Sequence, residues 1–129
     1  METVRRKAGG SLSTILITGA AGRIGSEMRS RMARPGRTLR LLDIEPLEAG
    51  PGEEAVRASV TDLAALTDAC QGADAVIHLG GRSGEAPWDR ILETNIDGTY
   101  KAYEAARRAG VRNRPRSRRA TTVSFACTT

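Results

Sequence analysis

At 129 residues the chain has room for one small domain, and an apolar content of 40% is enough for a core. Aromatic residues are only 3%, so that core has to be built from Ile, Leu, Val and Ala. No run reaches the ~18 apolar residues of a membrane span, and two cysteines, Cys70 and Cys127, make neither a disulfide framework nor a metal set.

The formal net charge of +5 is unevenly placed. Arg107, Arg108, Arg112, Arg114, Arg116, Arg118 and Arg119 crowd one stretch, and without them the chain is slightly acidic. Among 20 basic residues only Lys7 and Lys101 are lysines, a skew that electrostatics does not require and GC-rich coding accounts for. Residues 1–13 are polar and basic and read as a flexible N-terminus, with no apolar stretch of the kind a signal peptide needs. A soluble, cytoplasmic protein without a membrane partner is the expectation.

In chain order, residues 14–18 are β-branched and apolar and read as a buried strand that stops at Gly19. A helix is expected from Arg23 to about residue 33, closed by Pro35-Gly36. Residues 38–43 form a second expected strand ending in Asp43, and the prolines and glycines of 45–54 a loop. A third strand is expected over 55–60. Thr61 or Asp62 can cap a helix whose Leu63, Leu66 and Ala69 share one face, with Gly72 past its end. Residues 75–79 read as a fourth strand running into Gly80-Gly81. A long helix is expected from Trp88 to Ala109, with Leu92, Ile96, Thr99, Tyr103 and Ala106 at helical spacing on its core face.

Strand and helix alternate throughout, which argues for a doubly wound α/β domain with a parallel sheet and right-handed crossovers. The pattern is lost after Val111, and residues 112–129 read as a basic, irregular tail. A fifth strand is due after the long helix, and its only candidate, Val123-Ser124-Phe125-Ala126, arrives late for a connection of usual length. The sheet is therefore expected to end at its fourth or fifth strand.

The chemistry concentrates in Thr18-Gly19-Ala20-Ala21-Gly22-Arg23-Ile24-Gly25. A strand entering a glycine-rich turn that opens a helix presents free backbone N–H groups to a pyrophosphate. Gly19 would allow the tight turn, Gly22 the approach of a phosphate, and Gly25 the helix–strand contact. Glycines used only for backbone shape are the plainer alternative, and Asp43 at the end of the second strand weighs against it. Asp43 sits where an acid accepts the two hydroxyls of an adenosine ribose and repels a 2′-phosphate, so NAD is expected rather than NADP.

Other residues read plainly. His78 is the chain's one histidine, and a packed, hydrogen-bonded ring is the better reading than a metal ligand or a catalytic dyad. Tyr103-x-x-x-Arg107 has the spacing of a Tyr-x-x-x-Lys proton-transfer pair with Arg in the Lys place, and its mid-helix position reads as core packing. The arginine cluster has no interleaved aromatics and no nucleic-acid module, so no specific nucleic-acid partner is expected.

These residues resemble the N-terminal half of an extended short-chain dehydrogenase/reductase of the NAD-dependent epimerase/dehydratase group, with its Rossmann-like fold. Thr18-Gly19-x-x-Gly22-x-Ile24-Gly25, Asp43, His78-Leu79-Gly80-Gly81 and Asn95-Ile96-Asp97-Gly98-Thr99 carry the resemblance. The segment Gly80-Gly81-x-Ser83-x-Glu85-x-Pro87-Trp88 is similar to the branch that oxidises hexuronic acids at C1 to aldarolactones while reducing NAD. The resemblance covers about residues 14–111, the partial Rossmann domain. It implies that Gly19, Gly22, Arg23, Ile24 and Gly25 line the pyrophosphate, and Asp43 and Ile44 the adenosine ribose. It places Ser59 and Val60 beside the adenine, where the group usually has Asp-Leu. It places Leu79, Gly80 and Gly81 on the nicotinamide side, counts Asn95 among the cofactor-binding residues, and has Ser83 face the sugar acid.

The group's later Tyr-x-x-x-Lys is absent from these 129 residues, so no catalytic residue is assigned and little turnover is expected. Read one frame over, GC-rich codons for residues 117–122 can give Ser-Ser-Arg-Asn-His, similar to the group's missing active-site segment. An out-of-frame origin of the tail would explain both its arginine excess and its lost periodicity. A sugar-nucleotide epimerase or dehydratase, or a non-catalytic nucleotide-binding module, stays open as an alternative. Self-association through an exposed sheet edge stays open with it.

Overall fold

A computed structural model describes residues 13–111, together with the backbone of Thr122–Ser124. The N-terminal residues 1–12 and most of the basic tail lie outside the described residues, and the out-of-frame reading lies there with them.

The first strand, β1 (Thr14–Thr18), is the apolar run, and its start is fixed by Asp74. That carboxylate accepts from the backbone N–H groups of Ser13 and Thr14, both at 2.9 Å, and from the Ser13 hydroxyl at 2.7 Å. Helix α1 (Arg23–Met32) follows the glycine turn. Strand β2 (Thr38–Asp43) pairs with β1 in parallel, Thr14 opposite Thr38 and Thr18 opposite Leu42.

Strand β3 spans Glu53–Arg57, earlier in the chain than the sequence suggests. Its start is set by an ion pair rather than by apolar alternation: Arg29 on α1 holds Glu53 through Nε at 2.6 Å and Nη2 at 2.7 Å. Glu53 also accepts from Gly50 N at 2.8 Å, so the loop ahead of it is pinned to α1. The chain leaves the sheet after Arg57, where Ala58 N donates to Asp43 O, and turns over 59–61.

Asp62 caps helix α2 (Leu63–Cys70), accepting from Ala65 N at 3.0 Å. The other end of α2 has no basic residue of its own. Arg40 on β2 supplies one, donating to the carbonyls of Ala69 and Gln71. Strand β4 (Ala75–His78) pairs with the other side of β1, Thr18 opposite His78.

The long helix expected from Trp88 to Ala109 is divided. It begins as α3 (Trp88–Ile91), widens into a π-helical turn over Leu92–Asp97 and continues as α4 (Gly98–Arg108). Its buried face is made of Gly98, Ala102, Ala105 and Ala106. Leu92, Ile96 and Tyr103, expected in the core, are 42%, 51% and 47% exposed. The inner face of α4, which packs on α2 and β4, is taken by these small residues, while Leu92 and Ile96 lie in the π-helical turn before it. Within the tail expected to be irregular, Thr122–Ser124 forms β5, parallel to β4 with Val123 opposite Ile77.

The sheet order is β3-β2-β1-β4-β5, all parallel. Alternate side chains of the strands serve opposite faces. Ile15, Ile17, Leu39, Leu41 and Ile77 form a core with Met28 and Met32 of α1. Leu16, Leu42 and Val76 form another with Leu66, Cys70, Ala105 and Ala106 of α2 and α4. Helices thus cover both faces, as expected of a doubly wound sheet, and the strand order reverses direction next to β1, where such folds open a crevice.

Candidate functional site

The crevice is present: a cleft of about 930 Å³ at the C-terminal ends of β1, β2 and β4, within the usual size range of ligand sites. Its floor is the glycine turn. Gly19 has φ +68°, and a Cβ there would lie 2.7 Å from Gly80 N and from the Leu79 carbonyl carbon. Both the turn and the close passage of the chain leaving β4 therefore require glycine. At Gly25 a Cβ would collide with Gly19 O and lie 2.7 Å from Ala20 Cα. Gly25 seats α1 on the turn itself rather than on the strand.

Gly22 occupies the N-cap of α1, offers no capping side chain, and no acidic residue follows in the first turn. The leading N–H groups of the helix face the cleft with its positive dipole end, an arrangement that takes an anion. Arg23 and Ile24 line the same wall.

Asp43 closes one end. Its Oδ2 accepts from Ala21 N at 2.9 Å and its Oδ1 from Glu45 N at 3.0 Å. The carboxylate thereby ties β2 to the glycine turn, and each oxygen keeps a lone pair for a further donor. Ile44, beside it, is 60% exposed, as is half of Ile24. Two large apolar side chains are thus left uncovered along the cleft.

Val60 is buried and forms a wall between the turn and the helical segment after β4. A Cβ on Gly80 would sit 2.6 Å from its Cγ1, and one on Gly98 3.0 Å from its Cγ2. Ser59 lines the cleft but spends its hydroxyl locally, accepting from Thr61 N at 3.1 Å and bonding Thr61 Oγ1 at 2.7 Å.

His78 is 1% exposed and sits between two threonines, as a packed, hydrogen-bonded ring. Thr18 Oγ1 lies 2.7 Å from His78 Nδ1 and accepts from Leu79 N and Gly80 N at 3.2 and 3.1 Å. With its acceptor positions so used, the Thr18 hydroxyl donates to Nδ1, which assigns the proton of the neutral ring to Nε2. Nε2 faces Thr99 Oγ1 at 3.3 Å, and that hydroxyl donates to Asn95 O at 2.6 Å. Burial pushes the His78 pKa below its ordinary value, in keeping with a neutral ring. Burial likewise pushes the Cys70 thiol up to about 11, which leaves it a poor nucleophile.

Of the residues singled out in the sequence, Gly19, Gly22, Arg23, Ile24, Gly25, Asp43, Ile44, Ser59, Val60, Leu79, Gly80, Gly81 and Ser83 all line this one cleft. Asn95 does not. Its side-chain amide is taken up by the backbone of Arg82 on both sides, accepting from N at 2.7 Å and donating to O at 2.9 Å. Sequence reasoning missed Arg82, Arg90, Glu93 and Thr94, which line the end opposite Asp43. They reach it through an irregular connection, the short helix α3 and a π-helical turn, a path that no local pattern announces. Among the described residues no three His, Cys, Asp or Glu side chains gather as a metal site, and no helix is long and apolar enough to cross a membrane.

The profile of the NAD dependent epimerase/dehydratase family matches residues 15–125. The chain belongs to that family. Among curated relatives, a uronate dehydrogenase of Pseudomonas putida is 44% identical over 100 residues, 76% of this chain and 37% of its own length. An NAD-dependent glucose-6-phosphate dehydrogenase of Haloferax volcanii is 41% identical over 104 residues, 75% of this chain and 39% of its own length. Among solved structures, a variant of uronate dehydrogenase from Agrobacterium tumefaciens complexed with NAD is 46% identical, with a TM-score of 0.73 over 78% of this chain and 38% of that one. The chain thus spans less than two fifths of the length of each of these three relatives.

Proposed function

We propose that this chain is the NAD-binding portion of a dehydrogenase that oxidises a hexuronic acid at C1. The observation that carries the reading is the joining of the uncapped α1 N-terminus and the Asp43 carboxylate in one cleft. The cleft fits the cofactor on its own chemistry: free N–H groups for a pyrophosphate, acceptor lone pairs for two ribose hydroxyls, and uncovered Ile24 and Ile44 as apolar contact surface beside them. In this reading Gly19, Gly22, Arg23, Ile24 and Gly25 hold the pyrophosphate, and Asp43 and Ile44 the adenosine ribose. Ser59 and Val60 lie by the adenine, with Ser59 contributing surface rather than a hydroxyl bond. Leu79, Gly80 and Gly81 border the nicotinamide, and Ser83 faces the sugar acid. A dinucleotide held there would supply the hydride acceptor for the substrate carbon, and the residues of this chain would bind and orient it.

Two similarities favour a uronate over other sugars: the named relatives and solved structures, and the Gly80-Gly81-x-Ser83-x-Glu85-x-Pro87-Trp88 segment. The comparable identity of a glucose-6-phosphate enzyme over the same stretch fits a portion that carries the cofactor in common. The 129 residues hold no Tyr-x-x-x-Lys, so proton removal from the substrate hydroxyl has no assigned group. Tyr103 does not fill that role, since it lies on the outward face of α4 beyond the residues that line the cleft.

The test pairs binding with turnover. NAD should saturate the chain, while NADH formation from glucuronate or galacturonate stays at buffer background. Failure to bind NAD would overturn the cofactor assignment, and turnover above background would overturn the assignment of no catalytic group.

A further inference from the structure

The connection leaving β4 has no regular structure from Leu79 to Pro87, yet it forms the cleft wall at Leu79, Gly80, Gly81, Arg82 and Ser83. Two clamps hold it. Thr18 Oγ1 accepts from Leu79 N and Gly80 N at its start. Three residues on, the Asn95 amide engages both backbone groups of Arg82, and a Cβ on Gly81 would lie 3.0 Å from Asn95 Oδ1. The clamps are themselves joined, because Thr99 bridges Asn95 O to His78, and His78 to Thr18. Asn95 sits in the π-helical turn, four residues before Thr99, whose hydroxyl donates to its carbonyl.

With Asp43 at one end of the cleft and the α1 N-terminus in the middle, the clamped loop borders the remaining end. We propose that Asn95 is a positioning residue: it fixes Gly81-Arg82-Ser83 as a preorganised wall for the nicotinamide-ribose half of NAD, without touching the cofactor. This rests on the NAD reading above. An amide bonded to the two peptide units on either side of the Arg82 Cα fixes their position and tilt, so losing it frees the wall and leaves the adenosine end intact.

The test compares NADH with ADP, which lacks the nicotinamide half, on the full chain and on its Asn95→Ala variant. NADH affinity should fall about tenfold, while ADP affinity changes less than about twofold. An equal loss of both ligands, or an unchanged NADH affinity, would overturn the proposal. Wild-type chain that binds neither ligand would instead overturn the NAD reading. Amide hydrogen exchange without ligand tests the clamp itself. In Asn95→Ala the Arg82 amide should exchange faster, while those of Leu79 and Gly80, held by Thr18, stay protected. Unchanged exchange at Arg82 would remove the basis of the proposal.

Discussion

Asp43 binds backbone on two sides before any ligand arrives, holding Ala21 N and Glu45 N. Replacing it by Asn turns an amide donor toward one of those N–H groups, so the turn and the ribose site loosen together. An Asp43→Asn variant should keep its far-UV circular dichroism and lose at least about tenfold in NAD affinity by titration. At Gly19 the penalty falls on the fold instead. Alanine there must adopt φ +68° and press on the Leu79-Gly80 backbone. Strain of about 1–3 kcal/mol, with overpacking of similar size, should lower the urea midpoint clearly. His78 gives the chain a pH dependence with a definite sign. Its folded pKa is lowered by burial, so above the unfolded value of about 6.5 both states are neutral and its contribution is intact. As pH falls through about 6.5 the unfolded chain takes up a proton that the folded chain resists, and stability declines. The urea midpoint should therefore drop between about pH 7 and pH 5, and a His78→Gln variant should lose that part of the slope. A wild-type midpoint that stays flat across this range would contradict a buried neutral ring.

At the scale of elements, the β2–β3 loop depends on one ion pair. Arg29 on α1 holds Glu53 at 2.6 Å and also reaches the Glu48 carbonyl. Glu53 is 12% exposed in its side chain, and the guanidinium holds its carboxyl below the usual range. Arg29→Met strands that carboxylate and should cost about 1–3 kcal/mol in urea denaturation, with part recovered by adding Glu53→Gln. The same pair explains what the sequence hid. The bounds of β1, β2 and the start of α1 were legible because apolar runs and glycine breaks are local signals. The start of β3 was not, because it is fixed by a residue 24 positions away on α1. The π-helical turn over Leu92–Asp97 was hidden too, and the Gly98 that follows it is kept small by Val60, which belongs to another connection. Helical spacing placed Leu92, Ile96 and Tyr103 in the core, whereas Leu92 and Ile96 fall in the π-helical turn and the inner face of α4 is made of glycine and alanine. In the cleft, the glycine turn and Asp43 were readable from residue type and spacing. Arg82, Arg90, Glu93 and Thr94 were not, since only the path of the chain brings them there.

At the scale of the molecule, the five parallel strands among the described residues and the helices on both faces bring every part of the proposed cofactor site to one sheet edge. The turn after β1, the acid after β2 and the loop after β4 come from separate stretches of chain, so the site exists only if the sheet forms. Binding and folding should consequently be lost together in a core variant such as Leu16→Ala, whose fully buried side chain joins β1 to α2 and α4; a loss of about 2–5 kcal/mol is expected. These two relatives are more than twice as long as this chain, and the residues of the proposed cofactor site all lie between 19 and 83. The most direct measurement is therefore a calorimetric titration of NAD, and in parallel NADP, into the full 129-residue chain. The account predicts saturable one-to-one binding of NAD, with NADP weaker by at least about tenfold because its 2′-phosphate meets Asp43. A folded chain that shows no saturable NAD binding, or that takes NADP equally well, would contradict it.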